Sequence, residues 1–296
     1  MRSRAIALLG LSWALAASPL PAQENRPRTP PQSVNEMTCP PLPVVSPERM
    51  NLIVEPKPHI TKTPPASEAD RASYMRWSTM DPYGVCRYRD ENRALPPATG
   101  HRVIFIGDSI TEAWRPSVPD LFTGDVLNRG VSGQTTTQML ARFRTDVIDL
   151  HPAVVQIMGG MNDIHSASGM ALTRSNIASM VELARAHGII VILGAITPSN
   201  FFQGSPDLAP GPQIVRLNRW LQEYAAKNDL IFADYHGPLQ NGTLGIRDGL
   251  SNDGLHPNRN GFEPLTPLAR KAIARALSKR PRPLGHGIQF RGAVRR

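Results

Sequence analysis

Four short blocks carry side chains able to do acyl chemistry. Gly107-Asp108-Ser109-Ile110-Thr111 places a hydroxyl after an apolar run, and Asn128-Arg129-Gly130-Val131-Ser132-Gly133-Gln134 is a glycine-bearing turn able to aim backbone N–H groups outward. Gly159-Gly160-Met161-Asn162-Asp163 brings an amide after another apolar run, and Asp253-Gly254-Leu255-His256-Pro257 holds a carboxylate close to an imidazole. A serine hydroxyl is a poor nucleophile until a base takes its proton, and imidazole is the usual base near neutral pH. His256 suits that role toward Ser109, with Asp253 accepting its other N–H and stabilising the imidazolium. A tetrahedral intermediate also needs donors for its oxyanion, for which the Ser109 N–H, the Gly133 N–H and the Asn162 amide are candidates. Losing one such donor typically costs about 3–4 kcal/mol of transition-state stabilisation. Alternatives stand beside these roles. Gly133 can serve only as a left-handed turn residue, with Gly130 as the donor, and Asn162 can be a tie between loops. Asp108 competes with Asp253 for the acid, although its place beside Ser109 suits a hydrogen bond to the local backbone. The G-x-S-x-G signature of a nucleophile elbow is missing.

Such blocks need regular elements to hold them. From His101 onward, apolar runs at Val103–Ile106, Val126–Leu127, Val154–Met158, Ile189–Leu193 and Leu230–Ala233 alternate with segments of helical spacing. The spacing predicts helices over Thr136–Leu150, Ala171–Ala186, Ile214–Ala226 and Phe262–Leu277. Strands that alternate with helices argue for an α/β fold whose parallel sheet is covered on both faces. In such sheets ligands bind beyond the carboxyl ends of the strands, where strand order reverses. All four blocks can converge on that rim.

In that order, G-D-S-I, N-R-G-x-S-G, G-x-N-D and D-G-L-H-P resemble the SGNH hydrolase family of GDSL-type esterases and lipases, over about residues 101–278. The resemblance assigns the four name-giving residues to Ser109, Gly133, Asn162 and His256, with Asp253 completing the triad. It implies a flavodoxin-like three-layer α/β/α sandwich on a five-stranded parallel sheet. It implies ester hydrolysis through an acyl-serine, with no metal and no organic cofactor. Met161 departs from the Thr that bacterial relatives often carry, which touches pocket shape at most.

The chain has 296 residues, a net charge of +9, 41% hydrophobic residues, 29 prolines and two cysteines. A charge of +9 invites a nucleic-acid reading, but its placement argues against one. Arg2 and Arg4 lie at the N-terminus, Lys279, Arg280, Arg282, Arg291, Arg295 and Arg296 crowd the C-terminus, and the body between is near neutral. Residues 1–22, with two arginines, an apolar run from Ala5 to Ala17 and a small-residue exit, read as a secretory signal peptide, so the protein is expected to be secreted or periplasmic. Export makes a Cys39–Cys86 disulfide plausible chemistry, worth about 4 kcal/mol by chain entropy, with two free buried thiols as the alternative. Residues 23–100 read as a Pro-rich leader and an arm with one short helix, and 279–296 as a basic tail. That tail is either a solvated end or a weak contact with anionic envelope surfaces.

Substrate contacts are expected from Trp114 and from Phe201-Phe202 in the long loop Thr197–Pro212, as an apolar wall or a sugar-stacking surface, with pinning of the loop as the alternative. His165 is a further rim candidate. Asp163 and His165 have D-x-H spacing without an evident third metal ligand, and His101, His151, His187 and His236 read as structural. The leading expectation is removal of small acyl groups, acetyl above all, from carbohydrate or similar esters. A lysophospholipase or thioesterase, a non-catalytic binding module on the same fold and a metal-dependent phosphoesterase are the competing readings.

Overall fold

The computed structural model describes residues 39–42, 47–57, 67–200, 202 and 207–279. The signal-peptide reading, most of the Pro-rich leader, Phe201 and the tail beyond Lys279 lie outside the described residues.

Five parallel strands form one sheet: β1 (Val103–Gly107), β2 (Val126–Gly130), β3 (Val154–Met158), β4 (Ile190–Gly194) and β5 (Ile231–Ala233), in the order β2-β1-β3-β4-β5. β1 and β3 are buried along their whole length, which is why both read as nearly unbroken apolar runs. β2 runs three residues beyond its apolar start because Asn128 and Arg129 are buried with partners. The Arg129 guanidinium bonds Asn92 Oδ1 at 2.9 Å and the Asn128 carbonyl at 2.8 Å, beneath the Tyr88 ring. Polarity that is satisfied internally can extend a buried strand, and apolar periodicity does not report it.

Helices Ser109–Ser117 and Thr266–Ser278 cover one face, and Met170–Ala186 and Gly211–Lys227 the other, giving the expected α/β/α layers. The chain passes from β1 outward to β2 and then returns to place β3 on the other side of β1. The crevice between the carboxyl ends of β1 and β3 is therefore the switch point of the sheet.

Two expected helices are interrupted. Thr136–Leu150 divides into Thr136–Ala141, Phe143–Asp146 and a 3-10 turn at Ile148–Leu150. The break is at Arg142, whose buried guanidinium bonds Gln134 Oε1, Asp146 and the Gly107 carbonyl. The last expected helix, Phe262–Leu277, is broken after its first residue, which closes a short helix Arg259–Phe262, and resumes as Thr266–Ser278.

Trp114 is a core residue, a correction to its reading as a substrate wall. Helix Ser109–Ser117 buries Ile110, Ala113, Trp114 and Ser117, one stripe at helical spacing. The indole is fully buried, stacked on Phe262 at 5.2 Å and edge-on to Phe105 and Tyr235. Substrate cannot reach it there.

The arm holds two helices, Glu68–Met80 and Arg89–Arg93, and the leader adds a third at Pro47–Val54. Cys39 and Cys86 are joined by a disulfide. The final carbonyls of a helix lack partners within it, and here Asn252 Nδ2 donates to the carbonyls of Leu52, Ile53 and Glu55. The leader is thereby tied to the residue preceding Asp253.

Candidate active site

Ser109 is the first residue of its helix. Asp108 caps that helix, its Oδ1 accepting from the Ile110 N–H at 3.0 Å. The first N–H groups of a helix have no acceptor within it, so the Ser109 N–H remains available beside its own hydroxyl. Burial, with the Asp163 charge adding, pushes the Asp108 carboxyl up to about 6, against the Ile110 hydrogen bond and the attraction of His256. Asp108 is thus occupied with the local backbone.

The last block folds as a turn around its own carboxylate. Asp253 Oδ1 accepts the backbone N–H groups of Leu255 at 3.0 Å and His256 at 2.8 Å, the local bonding that makes aspartate a turn residue. Its Oδ2 lies 2.7 Å from His256 Nδ1, and His256 Nε2 lies 2.9 Å from Ser109 Oγ. Burial opposes the charge on His256, but the Asp253 charge and hydrogen bond, with Asp108 adding, outweigh it and hold the imidazole pKa above its ordinary value. Burial also works against the Asp253 carboxylate, yet His256 and the two backbone donors bring it down to about 2.

The Gly130–Gln134 loop spends its backbone donors selectively. Gly130 donates to Asn128 Oδ1 at 2.9 Å, Val131 to the Gly107 carbonyl at 3.1 Å, Ser132 to Glu112 Oε2 at 2.8 Å and Gln134 to the Val131 carbonyl at 3.3 Å. Among the described residues, the Gly133 N–H is the one in this stretch without an acceptor. Gly130 is needed for close approach, since a Cβ there would meet the Glu112 backbone nitrogen at 2.2 Å. Gly133 has φ +78°, a left-handed conformation. Asn162 follows β3 in the helix Met161–His165, and its Nδ2 donates to the Gln134 carbonyl at 2.9 Å, leaving the second amide hydrogen.

The structure therefore brings Ser109, Asp253 and His256 into one hydrogen-bonded series and links Asn162 to the Gly133 loop. Asp163 and His165 separate instead. Asp163 is buried and accepts from the Thr136 N–H at 2.8 Å and from the hydroxyls of Thr136 and Thr173, whereas His165 is exposed with its ring 4.7 Å from that of Phe202. Phe202 is buried in the core cluster, a correction to its reading as a substrate contact. The sequence reading missed Gln134 as a junction. Its carbonyl holds Asn162, its Oε1 accepts from Arg142 Nε, and its Nε2 donates to the Tyr83 carbonyl of the arm at 2.8 Å. Its place in the N-R-G-x-S-G-Q block was the available signal.

Residues 105–263 match the model of the GDSL-like lipase/acylhydrolase family. A GDSL-like lipase from Bacteroides thetaiotaomicron is 38% identical, with a TM-score of 0.63, over 66% of this chain and 98% of that one. Esterase TesA of Pseudomonas aeruginosa is 29% identical over 134 residues, 45% of this chain and 61% of its own length. An acetylxylan esterase of Geobacillus stearothermophilus is 34% identical over 90 residues, 22% of this chain and 41% of its own. The chain spans 33–61% of the length of the curated relatives it matches.

Proposed function

Since the chain belongs to the GDSL-like lipase/acylhydrolase family, we propose that it is an exported serine ester hydrolase acting through Ser109, His256 and Asp253. The observation that carries this reading is the series Ser109 Oγ, His256 Nε2, His256 Nδ1 and Asp253 Oδ2, with contacts of 2.9 and 2.7 Å.

Ser109 Oγ attacks the ester carbonyl carbon as its proton passes to His256 Nε2. The carbonyl π pair moves onto oxygen, and the resulting oxyanion is met by the N–H groups of Ser109 and Gly133 and the free amide hydrogen of Asn162. Collapse breaks the bond to the alcohol oxygen, which takes the proton from His256 and leaves an acyl-serine. Water then attacks the acyl carbon, gives its proton to His256, and the acid departs as Ser109 Oγ recovers that proton. Asp253 keeps Nδ1 protonated throughout, so Nε2 faces Ser109 as the acceptor.

The favoured substrate is a small acyl ester, acetyl above all, of a carbohydrate. The acetylxylan esterase among the relatives supports that class. Residues 101–278 form the catalytic unit of this reading, with 23–100 as its arm and 279–296 as a basic tail. The N-terminal Arg2, Arg4 and apolar run support export, as does the Cys39–Cys86 disulfide, a bond of oxidising compartments. Hydrolysis of p-nitrophenyl acetate by wild type and by folded Ser109→Ala tests the proposal. Loss of turnover in the variant supports it, and retained turnover overturns it.

A further inference from the structure

The arm sets an aromatic side chain against the loop that carries the Gly133 N–H. Tyr74, on helix Glu68–Met80, is 45% exposed, so a ligand can reach its ring. A Cβ placed on Gly133 would lie 3.3 Å from Tyr74 Oη and would meet no other group beyond its chain neighbours among the described residues. The phenol therefore borders Gly133 directly.

This placement is anchored at several points. Trp77, whose ring centroid is 6.1 Å from that of Tyr74, is buried. Tyr88 donates its hydroxyl to the Gly130 carbonyl. Arg87 Nη2 reaches Glu112 Oε1 at 2.9 Å, while the other oxygen of Glu112 takes the Ser132 N–H. Gln134 and Gln138 donate to the carbonyls of Tyr83 and Pro82, both at 2.8 Å. The arm and the Gly130–Gln134 loop thus hold each other through bonds on both sides of Gly133.

We propose that Tyr74 forms a subsite for the alcohol side of the ester, taking a polyhydroxylated, carbohydrate-type leaving group against its ring and hydrogen-bonding it through the phenol. This deepens the reading of Ser109 as the nucleophile and rests on it. A sugar ring has an apolar face and a hydroxyl edge, and tyrosine presents the matching pair, an apolar ring and a polar tip. An alkyl chain would need a concave apolar wall, whereas the phenol borders the Gly133 backbone and lies within the field of the Glu112 carboxylate. Burial foremost, and then the Glu112 charge, hold the phenol above its ordinary pKa, so it keeps its proton for donation.

The test compares kcat/KM on acetylated xylobiose with kcat/KM on p-nitrophenyl acetate, which lacks a sugar, for wild type, Tyr74→Phe, Tyr74→Ala and the control Tyr224→Phe, a tyrosine of helix Gly211–Lys227 stacked on Trp220. Tyr74→Phe is expected to lower the sugar-to-nitrophenyl ratio several-fold and Tyr74→Ala about tenfold or more, mainly through KM, with Tyr224→Phe unchanged. An unchanged ratio in both Tyr74 variants overturns the subsite while leaving Ser109 in place. So does wild-type turnover of the nitrophenyl ester with none of the sugar ester, or a larger loss on p-nitrophenyl octanoate than on the sugar ester. Absence of wild-type turnover on every ester overturns the nucleophile reading and the subsite with it.

Discussion

Asn162 donates one amide hydrogen to the Gln134 carbonyl at 2.9 Å, so the side chain assigned to the oxyanion is aimed by the same loop that carries Gly133. Asn162→Ala removes a donor and is expected to lower kcat by about 10²-fold with little change in KM, the pattern of an interaction made only in the transition state. Gln134→Ala leaves the carbonyl but frees the loop from Tyr83 and Arg142. It should lower kcat by a smaller factor, about tenfold, and also lower the melting temperature. Steady-state kinetics beside thermal unfolding separates the two patterns.

The pH profile has a definite sign. In the proposed mechanism only neutral His256 accepts the Ser109 proton, and the carboxylates of Asp253 and Asp108 hold a proton on it. The acid limb of kcat/KM is therefore expected above the ordinary imidazole pKa of about 6.5. Asp253→Asn should move that limb downward and also cost kcat, since the tautomer is no longer fixed. Asp108→Asn should move it downward by less. Profiles between pH 5 and 9 measure both shifts, and a limb that does not move in Asp253→Asn contradicts the assignment.

Two glycines of one loop should fail differently. At Gly130 a Cβ would meet backbone at 2.2 Å, with no flexible side chain to give way, so Gly130→Ala is expected to cost about 3 kcal/mol or more of folding stability. At Gly133 the cost is mainly the left-handed backbone, about 1–2 kcal/mol, with Tyr74 Oη able to yield at 3.3 Å. Denaturant unfolding should rank the two, and Gly133→Ala should also lower kcat.

The sheet was legible because buried parallel strands announce themselves as apolar runs, and three of the four chemical blocks sit where those runs end, the fourth standing well past β5. β2 was legible only at Val126–Leu127, because the rest of it is buried through the bonds of Asn128 and Arg129. The helix read across Thr136–Leu150 concealed its break because Arg142 looks like a surface residue until Gln134, Asp146 and Gly107 appear around it. Trp114 was misplaced for the opposite reason. An aromatic five residues after Ser109 reads as a wall of the cleft, but helical spacing sets it on the core stripe with Ile110 and Ala113. Which of Gly130 and Gly133 keeps an unspent N–H could be read only from the structure, where Gly130 donates to Asn128 Oδ1. Tyr74 was invisible because its proximity to Gly133 is made by the docking of the arm, and no local pattern encodes that.

Covalent labelling tests the central claim most directly. A fluorophosphonate that needs an activated serine is added to the folded protein, and the modified peptide is located by mass spectrometry in wild type and in His256→Ala. The account predicts one adduct, on Ser109, formed by the wild type and at least about 10²-fold more slowly by His256→Ala. An esterase-active preparation that carries no adduct on Ser109, or that labels Ser109 at the same rate without His256, would contradict it.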